Sequence, residues 1–345
     1  MDRLRSLLSR KSVLLADGAT GTNYFDYGLL SGDAPELWNV DHPERVKSLH
    51  KRFIDAGADI VLTNTFGGTR YRLALHGADT RLLELNQRAA ELAHEAIAES
   101  GRDDVLVAGS MGPTGEIFAP LGELAPEDGK RAFTEQAQGL AAGGADVLWL
   151  ETLSSREEIM AGIEAAAEVG LPVVCTASFD TNGATMMGLT PQQFMSFAPT
   201  AHDHVHAAGT NCGVGAAEVV ACMLQMRATV AQDFILVAKA NCGIPRWEDG
   251  AIQYDGTPAL MADYVRLAYA AGARIIGGCC GTTPDHLAVM RKALDQVLEV
   301  GEHDPSVILD INAIEALLGP ISDGIKRQLT GVEAPSKRRR SRRRG

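Results

Sequence analysis

The segment Ala271–Leu287, AGARIIGGCCGTTPDHL, holds one complete structural unit of the chain. Gly272 marks the close of a helix, because glycine readily takes the positive φ of a helix C-terminal cap. Arg274–Cys279 reads as a short buried strand. Gly277, Gly278 and Gly281 free the backbone around the adjacent Cys279 and Cys280. Thr283 and Pro284 then open a helix over Pro284–Leu298.

The same plan recurs along the chain. Candidate strands are Ser12–Asp17, Asp59–Asn64, Val105–Ser110, Asp146–Glu151, Pro172–Phe179, His204–Asn211, Phe234–Asn241 and Arg274–Cys279. Helical spacing fills Pro43–Ala56, Thr80–Ser100, Gly129–Ala142, Arg156–Glu168, Pro191–Ala201, Ala216–Thr229 and Pro258–Ala271. AGAD at Ala56–Asp59 and GGAD at Gly143–Asp146 echo the AGAR of Ala271–Arg274, a weak internal repeat. The strands are apolar throughout rather than alternating, as in a parallel sheet covered by helices. Eight such units predict a (β/α)8 TIM barrel of the α/β class in preference to a doubly wound open sheet. The expected organisation is a barrel over 1–300, a short helical extension over 301–329 and a basic disordered tail over 330–345.

An apolar content of 46% in 345 residues excludes a chain disordered throughout and is enough for a large core. The apolar runs fall far short of the ~20 residues of a membrane span. The N-terminus, MDRLRSLLSRKSVLLADG, lacks a continuous apolar segment and a small-residue cleavage site. An unprocessed, cytoplasmic protein with no membrane partner is expected. The net charge is −12, although the last nine residues, KRRRSRRRG, carry seven positive charges. An acidic body with a basic tail argues against a nucleic-acid enzyme; the tail suits an acidic partner protein or solubility. A chain this long does not need disulfides, and a bridge between neighbours such as Cys279 and Cys280 is strained. Reduced cysteines are therefore expected.

Active sites of such barrels lie at the C-terminal ends of the strands, and there the unusual residues gather. The first strand ends in DGATGT (Asp17–Thr22), the second in TNTF (Thr63–Phe66) and the third in GSMGPTG (Gly109–Gly115). Glu151-Thr152, Asn211-Cys212-Gly213, Asn241-Cys242-Gly243 and Gly277–Thr282 end the fourth, sixth, seventh and eighth. Cys212, Cys279 and Cys280 form a set of three thiolates suited to a catalytic zinc with an open fourth position, provided the backbone turns at Cys279. Cys242 is either a fourth ligand, giving a closed structural site, or a pocket wall; the glycine-rich rim favours the wall. Cys175 and Cys222 read as buried small hydrophobes. His202, His204 and His206 open a strand at the opposite rim and read as surface histidines. Asp17 and Glu151 are rim carboxylates, and the backbone N–H groups of Gly18, Ala19 and Thr20 suit a bound carboxylate. Together they describe an amino-acid site.

With Asp17–Thr22, Asn64-Thr65-Phe66, Gly112-Pro113-Thr114, Glu151-Thr152, Asn211-Cys212 and Gly277–Thr282, the chain resembles the homocysteine S-methyltransferase family over residues 10 to 300. The resemblance implies a zinc barrel that methylates homocysteine to methionine. It places the metal ligands and catalytic residues at Cys212, Cys279 and Cys280, and the homocysteine site at Asp17, Gly18, Ala19, Thr20, Asn64, Glu151 and Asn211. Family members take their methyl group from betaine, S-methylmethionine or a methylcorrinoid. Thr152 stands where the betaine enzymes have tyrosine. Glu-Thr and Gly-Pro-Thr-Gly look more like the homocysteine module of cobalamin-dependent methionine synthase. The expectation is thus a stand-alone homocysteine module taking its methyl from a methylcorrinoid, with a separate corrinoid protein docked by the tail as the candidate partner. The alternatives are a betaine or S-methylmethionine enzyme, and a non-catalytic protein with a structural zinc. Tyr24, Phe25, Tyr27, Trp38, Phe66, Tyr71 and Phe118 are the aromatics that a cage for a quaternary ammonium would draw on. The oligomeric state is left open.

Overall fold

The computed structural model describes residues 2–243, 245–248, 251–300 and 309–331. Eight parallel strands form one sheet. They are β1 (Leu14–Leu15), β2 (Ile60–Leu62), β3 (Leu106–Met111), β4 (Val147–Leu153), β5 (Val173–Ala177), β6 (Val205–Cys212), β7 (Ile235–Ala240) and β8 (Ala273–Gly278). Each pairs with its neighbours in sequence, and β1 pairs with β8 through Leu14–Ile275 and Leu15–Ile276. The parallel bridge Ala16–Ile60 joins β1 to β2 and closes the ring. The expected barrel is therefore present, with every candidate strand in place.

Helices follow the strands and cover the outside. Arg156–Glu168 has the bounds read from the sequence, and Pro43–Asp55, Ala216–Arg227 and Pro258–Ala270 stop within two residues of theirs. The glycines of the internal repeat explain the regular spacing. Gly57, Gly144 and Gly272 all have φ between 91° and 103°, which ends each helix and turns the chain toward the next strand. A large apolar layer lies between strands and helices, with Phe53, Leu92, Phe133, Leu150 and Val220 fully buried.

The helix Arg3–Arg10 is the element that the strand-and-helix pattern misses. Asp2 caps it by accepting the Arg5 N–H at 2.9 Å. Leu4 and Leu7 are buried and join Leu14, Ile60, Leu106 and Val147 in a separate apolar cluster inside the barrel. They plug its base, and each buried leucine contributes about 1.5–3 kcal/mol. At the same end Asp59 accepts the Leu15 N–H at 2.9 Å and pairs with Lys11 at 2.5 Å and with Arg102 and Arg291 at 3.2 Å. His204 and His206 lie at this base, where His206 approaches Asp2 at 3.5 Å, remote from the cysteines as expected.

Beyond the barrel, the helices Ile311–Leu318 and Asp323–Thr330 pack on its flank with Ile314 and Ile325 fully buried. The Ser322 N–H donates to Glu218 at 2.9 Å and the Gly324 N–H to Asn182 at 2.9 Å. The last helix takes in Thr330, where the tail was expected to begin. Residues 301–308 and the basic run of the tail lie outside the described residues.

Candidate active site

Strand ends from around the ring line one cavity of about 400 Å3, within the range of small-ligand sites. Ser110, Glu151 and Lys239 are buried in its wall, and Cys212, Cys279 and Cys280 line it half-buried. Phe25, Phe66 and Arg72 line its exposed end.

The sulfur atoms of Cys212, Cys279 and Cys280 all lie within 4.8 Å of one another. Two local distortions bring this about. β8 stops at Gly278, the Cys279 N–H donates to the Ala240 carbonyl at 2.6 Å, and the Thr282 N–H turns back to the Cys279 carbonyl at 3.0 Å. Neighbouring side chains thereby reach the same cavity, as the glycine-rich turn predicts. At the end of β6, Cys212 takes a φ of 61°, a left-handed conformation uncommon outside glycine.

The donor set fits zinc. A tetrahedron of about 2.3 Å Zn–S bonds has edges of about 3.8 Å, so small adjustments would let the trio hold one ion and leave a fourth position to the cavity. Their electrostatics point the same way. Contacts with Cys279 and Cys280 push the Cys212 thiol far up. Hydrogen bonds with Cys212, Cys279 and the Tyr254 hydroxyl hold Cys280 well below the usual thiol range. A cation among them would stabilise all three thiolates. Cys242 stands apart: its thiol donates to the Gly256 carbonyl at 3.3 Å, and burial pushes it up to about 11. Among the described residues the sulfur group has three members, which is the arrangement of an open site.

The two rim carboxylates occupy different environments. Glu151 lines the cavity and accepts a short hydrogen bond from the Ser110 hydroxyl. Burial pushes its carboxyl up to about 7, with Lys239 opposing. Asp17 lies behind the cavity wall with both oxygens engaged. Oδ2 accepts the Leu62 N–H at 2.7 Å, and Oδ1 pairs with the Lys239 ammonium at 3.0 Å. Lys239 is 2% exposed, and its Nζ stands 5.3 Å from the ring centre of buried Trp149. Burial works against the Lys239 charge, but Asp17 and Glu151 outweigh it and raise its pKa.

Gly18, Ala19 and Thr20 line the cavity beside the sulfurs. Gly18 has to be glycine, since a Cβ there would stand 2.6 Å from the Thr282 carbonyl and 2.9 Å from the Phe53 ring. The Asn23 amide bridges the Ala19 and Thr282 carbonyls at 2.7 and 3.0 Å, joining the β1 loop to the β8 loop. Asn64 also lines the cavity, but its amide is held by the Pro35 carbonyl at 2.7 Å and Asn39 at 3.0 Å. It pins the loop that carries Glu36. Asn211 is fully buried and bonds to Thr152. Of the seven candidate aromatics only Phe25 and Phe66 line the cavity, at 53% and 40% exposure. Tyr24, Trp38 and Phe118 are buried in the core.

Four residues at the site escape a sequence reading: Lys239, Ser110, Thr152 as a strained hinge, and Tyr254. Lys239 alone leaves a signal, as one lysine in an otherwise apolar strand, ILVAKA.

Comparison with known proteins places this geometry. The family model for homocysteine S-methyltransferase matches residues 14–294. A methionine synthase of Mycobacterium leprae (strain TN) is 30% identical over 331 residues, which is 89% of this chain and 27% of that protein. The chain thus spans about a quarter of that relative's length. Among solved structures, the homocysteine methyltransferase MmuM from Escherichia coli in its metallated form is 27% identical with a TM-score of 0.71, over 84% of this chain and 99% of that one. Its apo form gives 25% identity and a TM-score of 0.67, over 85% and 100% of the two chains. A methyltransferase from Methanosarcina mazei, 13% identical with a TM-score of 0.55 over 85% and 97%, shares the fold.

Proposed function

The chain belongs to the homocysteine S-methyltransferase family, and from that membership we propose that it methylates the thiol of L-homocysteine to give methionine, with a zinc ion held by Cys212, Cys279 and Cys280. The observation that carries this reading is the cluster of three sulfurs on the wall of a cavity that also presents Glu151.

Zinc at the trio would supply a Lewis acid whose open position takes the substrate thiol as thiolate, the nucleophilic form. The chain's own residues do the rest. Glu151, oriented by Ser110, would take the ammonium of the amino acid. The turn at Gly18, Ala19 and Thr20 lies on the same cavity and bounds the amino-acid end of the substrate. Asn211 and Thr152 hold the rim between β4 and β6 rigid beside Cys279. Asn64 acts at one remove, by fixing the neighbouring loop. Aligning sulfur with the donor methyl lowers the entropic part of the barrier. Asp17 contributes through Lys239.

The cavity favours a small methyl donor. About 400 Å3 suits an amino acid together with another small molecule, whereas a corrinoid presents a broad macrocycle. Phe25 and Phe66 line the cavity as aromatics suited to an onium methyl group, and Arg72 lines it as a cation suited to a carboxylate. Betaine and S-methylmethionine are donors of that kind. The likeness to methionine synthase supports a second reading, in which a methylcorrinoid on a separate protein supplies the methyl group. The six free cysteines support a reducing compartment, the cytoplasm. No helix among the described residues is long and apolar enough to cross a membrane.

The test is methionine formation by the zinc-loaded protein from homocysteine with betaine, S-methylmethionine and methylcobalamin supplied separately. Turnover with a small onium donor is expected. Turnover with methylcobalamin alone would select the second reading, and failure of homocysteine to enter the zinc shell by EXAFS would overturn both.

A further inference from the structure

The buried end of the cavity presents one carboxyl group and one cation that are free to meet a ligand. Glu151 supplies the carboxyl group of that pair. Lys239 is the cation, and Asp17, which holds it, is shielded behind the wall. A lysine ammonium has three N–H donors. Asp17 takes one at 3.0 Å, the Trp149 ring packs against the same group, and no other hydrogen-bond partner of Lys239 occurs among the described residues. A cavity that shows a carboxylate and an ammonium side by side complements an α-amino acid zwitterion.

The register sets the scale. On the sheet, Lys239 is level with Asn211 of β6 and Gly277 of β8. The next level up holds Cys212, Ala240 and Gly278, and Cys279 follows directly. One strand residue rises ~3.3 Å, so the ammonium is rooted about one step below the sulfurs. Stability is a poor reason for such a pair, because a buried ion pair rarely outperforms an apolar one of equal volume.

We propose that Lys239 determines acceptor specificity by reading the α-carboxylate of the thiol substrate, with Asp17 as the residue that positions it. This rests on the homocysteine reading and narrows it. Acceptance of a thiol then depends on the carboxylate as well as on the sulfur and the ammonium.

Calorimetry on the zinc-loaded protein tests this with L-homocysteine, its methyl ester and 3-aminopropanethiol, the same chain without the carboxylate. Wild-type protein is expected to bind homocysteine on the order of 100-fold more tightly than either analogue, as for a charge-assisted contact in a buried site. The double variant D17N/K239M removes the Asp17–Lys239 ion pair as a unit and leaves Glu151 in place. It is expected to bind all three thiols within about threefold of the wild-type affinity for 3-aminopropanethiol. D17N alone keeps the ammonium but removes the charge that positions it, and is expected to give a preference between those of the wild type and the double variant. A double variant that still prefers homocysteine, or that loses all three thiols equally, overturns the proposal. So does equal wild-type affinity for homocysteine and its ester, a result independent of whether the variant folds. Wild-type protein that binds none of the three refutes the homocysteine reading itself.

Discussion

Asn211 on β6 grips Thr152 on β4 with both ends of its amide: Oδ1 accepts the Thr152 N–H at 2.8 Å, and Nδ2 donates to its hydroxyl at 2.7 Å. Thr152 has a φ of 65°, a conformation that a β-branched residue strongly resists. The pairing of β4 with β5 shifts register at this point, between Leu150 and Leu153. The same Nδ2 lies 4.0 Å from the Cys279 sulfur. Asn211→Ala therefore removes the clamp and leaves strain of about 1–3 kcal/mol beside the sulfur group. Zinc affinity, measured by competition with a chelating dye, is expected to drop at least tenfold, with far-UV circular dichroism unchanged. An unaltered affinity would mean that the clamp serves the rim only.

Alanine at each of Cys212, Cys279, Cys280 and Cys242 separates the cysteine roles. Removing any member of the trio is expected to cut zinc, measured by mass spectrometry after dialysis, from about one ion per chain to about a tenth of that. Cys242→Ala is expected to keep the full complement, because its thiol is committed to the Gly256 carbonyl. Zinc lost from the Cys242 variant with the fold intact would argue for a four-cysteine structural site.

Glu151→Gln keeps the shape of the side chain and removes its charge. Losing a charge-assisted contact to the substrate ammonium is expected to cost about 2 kcal/mol, roughly a 30-fold rise in the KM for homocysteine. Ser110→Ala leaves the carboxylate in place but frees its orientation, and a smaller rise is expected. Steady-state kinetics with the preferred donor reads both. Equal KM values in all three proteins would remove Glu151 from the substrate site.

His50 gives the fold an acid-sensitive point away from the chemistry. It is buried in the helix Pro43–Asp55, its Nε2 has no hydrogen-bond partner among the described residues, and burial lowers its pKa from 6.5 to about 4. The unfolded chain takes up this proton near pH 6.5 and the folded chain only near pH 4. Stability present above pH 6.5 is thus lost as pH falls toward 4, by up to about 3 kcal/mol. His50→Leu is expected to flatten that part of the stability curve in urea titrations at pH 7, 6 and 5. Parallel curves for variant and wild type would contradict this account.

The sequence exposes what repeats and what is chemically rare. Strands such as Arg274–Cys279 stand out because both faces are buried, and Gly57, Gly144 and Gly272 punctuate them. Cys212, Cys279 and Cys280 stand out because thiols beside glycine at strand ends have few other uses. Side-chain pairing across the ring leaves no comparable trace. Asp17 reads as a rim carboxylate, yet 222 residues later Lys239 takes one of its oxygens, and only the closed barrel brings them together. Asn64 reads as a ligand for substrate because its amide is visible, whereas its partners at Pro35 and Asn39 depend on how a loop folds back. The helix Arg3–Arg10 is obscured for a simpler reason. Three leucines among arginines make a weak periodic signal, and the value of Leu4 and Leu7 comes from the barrel base they stopper.

That stopper has a kinetic consequence. With Leu4 and Leu7 packed into the base, the cavity opens at the rim, where Phe25 and Phe66 are exposed. The sulfurs sit at the dead end, and Phe25, Phe66 and Arg72 sit near the door. On the proposed homocysteine reading, the acceptor would enter first, the methyl donor would close in behind it, and methionine would leave after the spent donor. The architecture of a cul-de-sac would then impose a compulsory order on a two-substrate reaction.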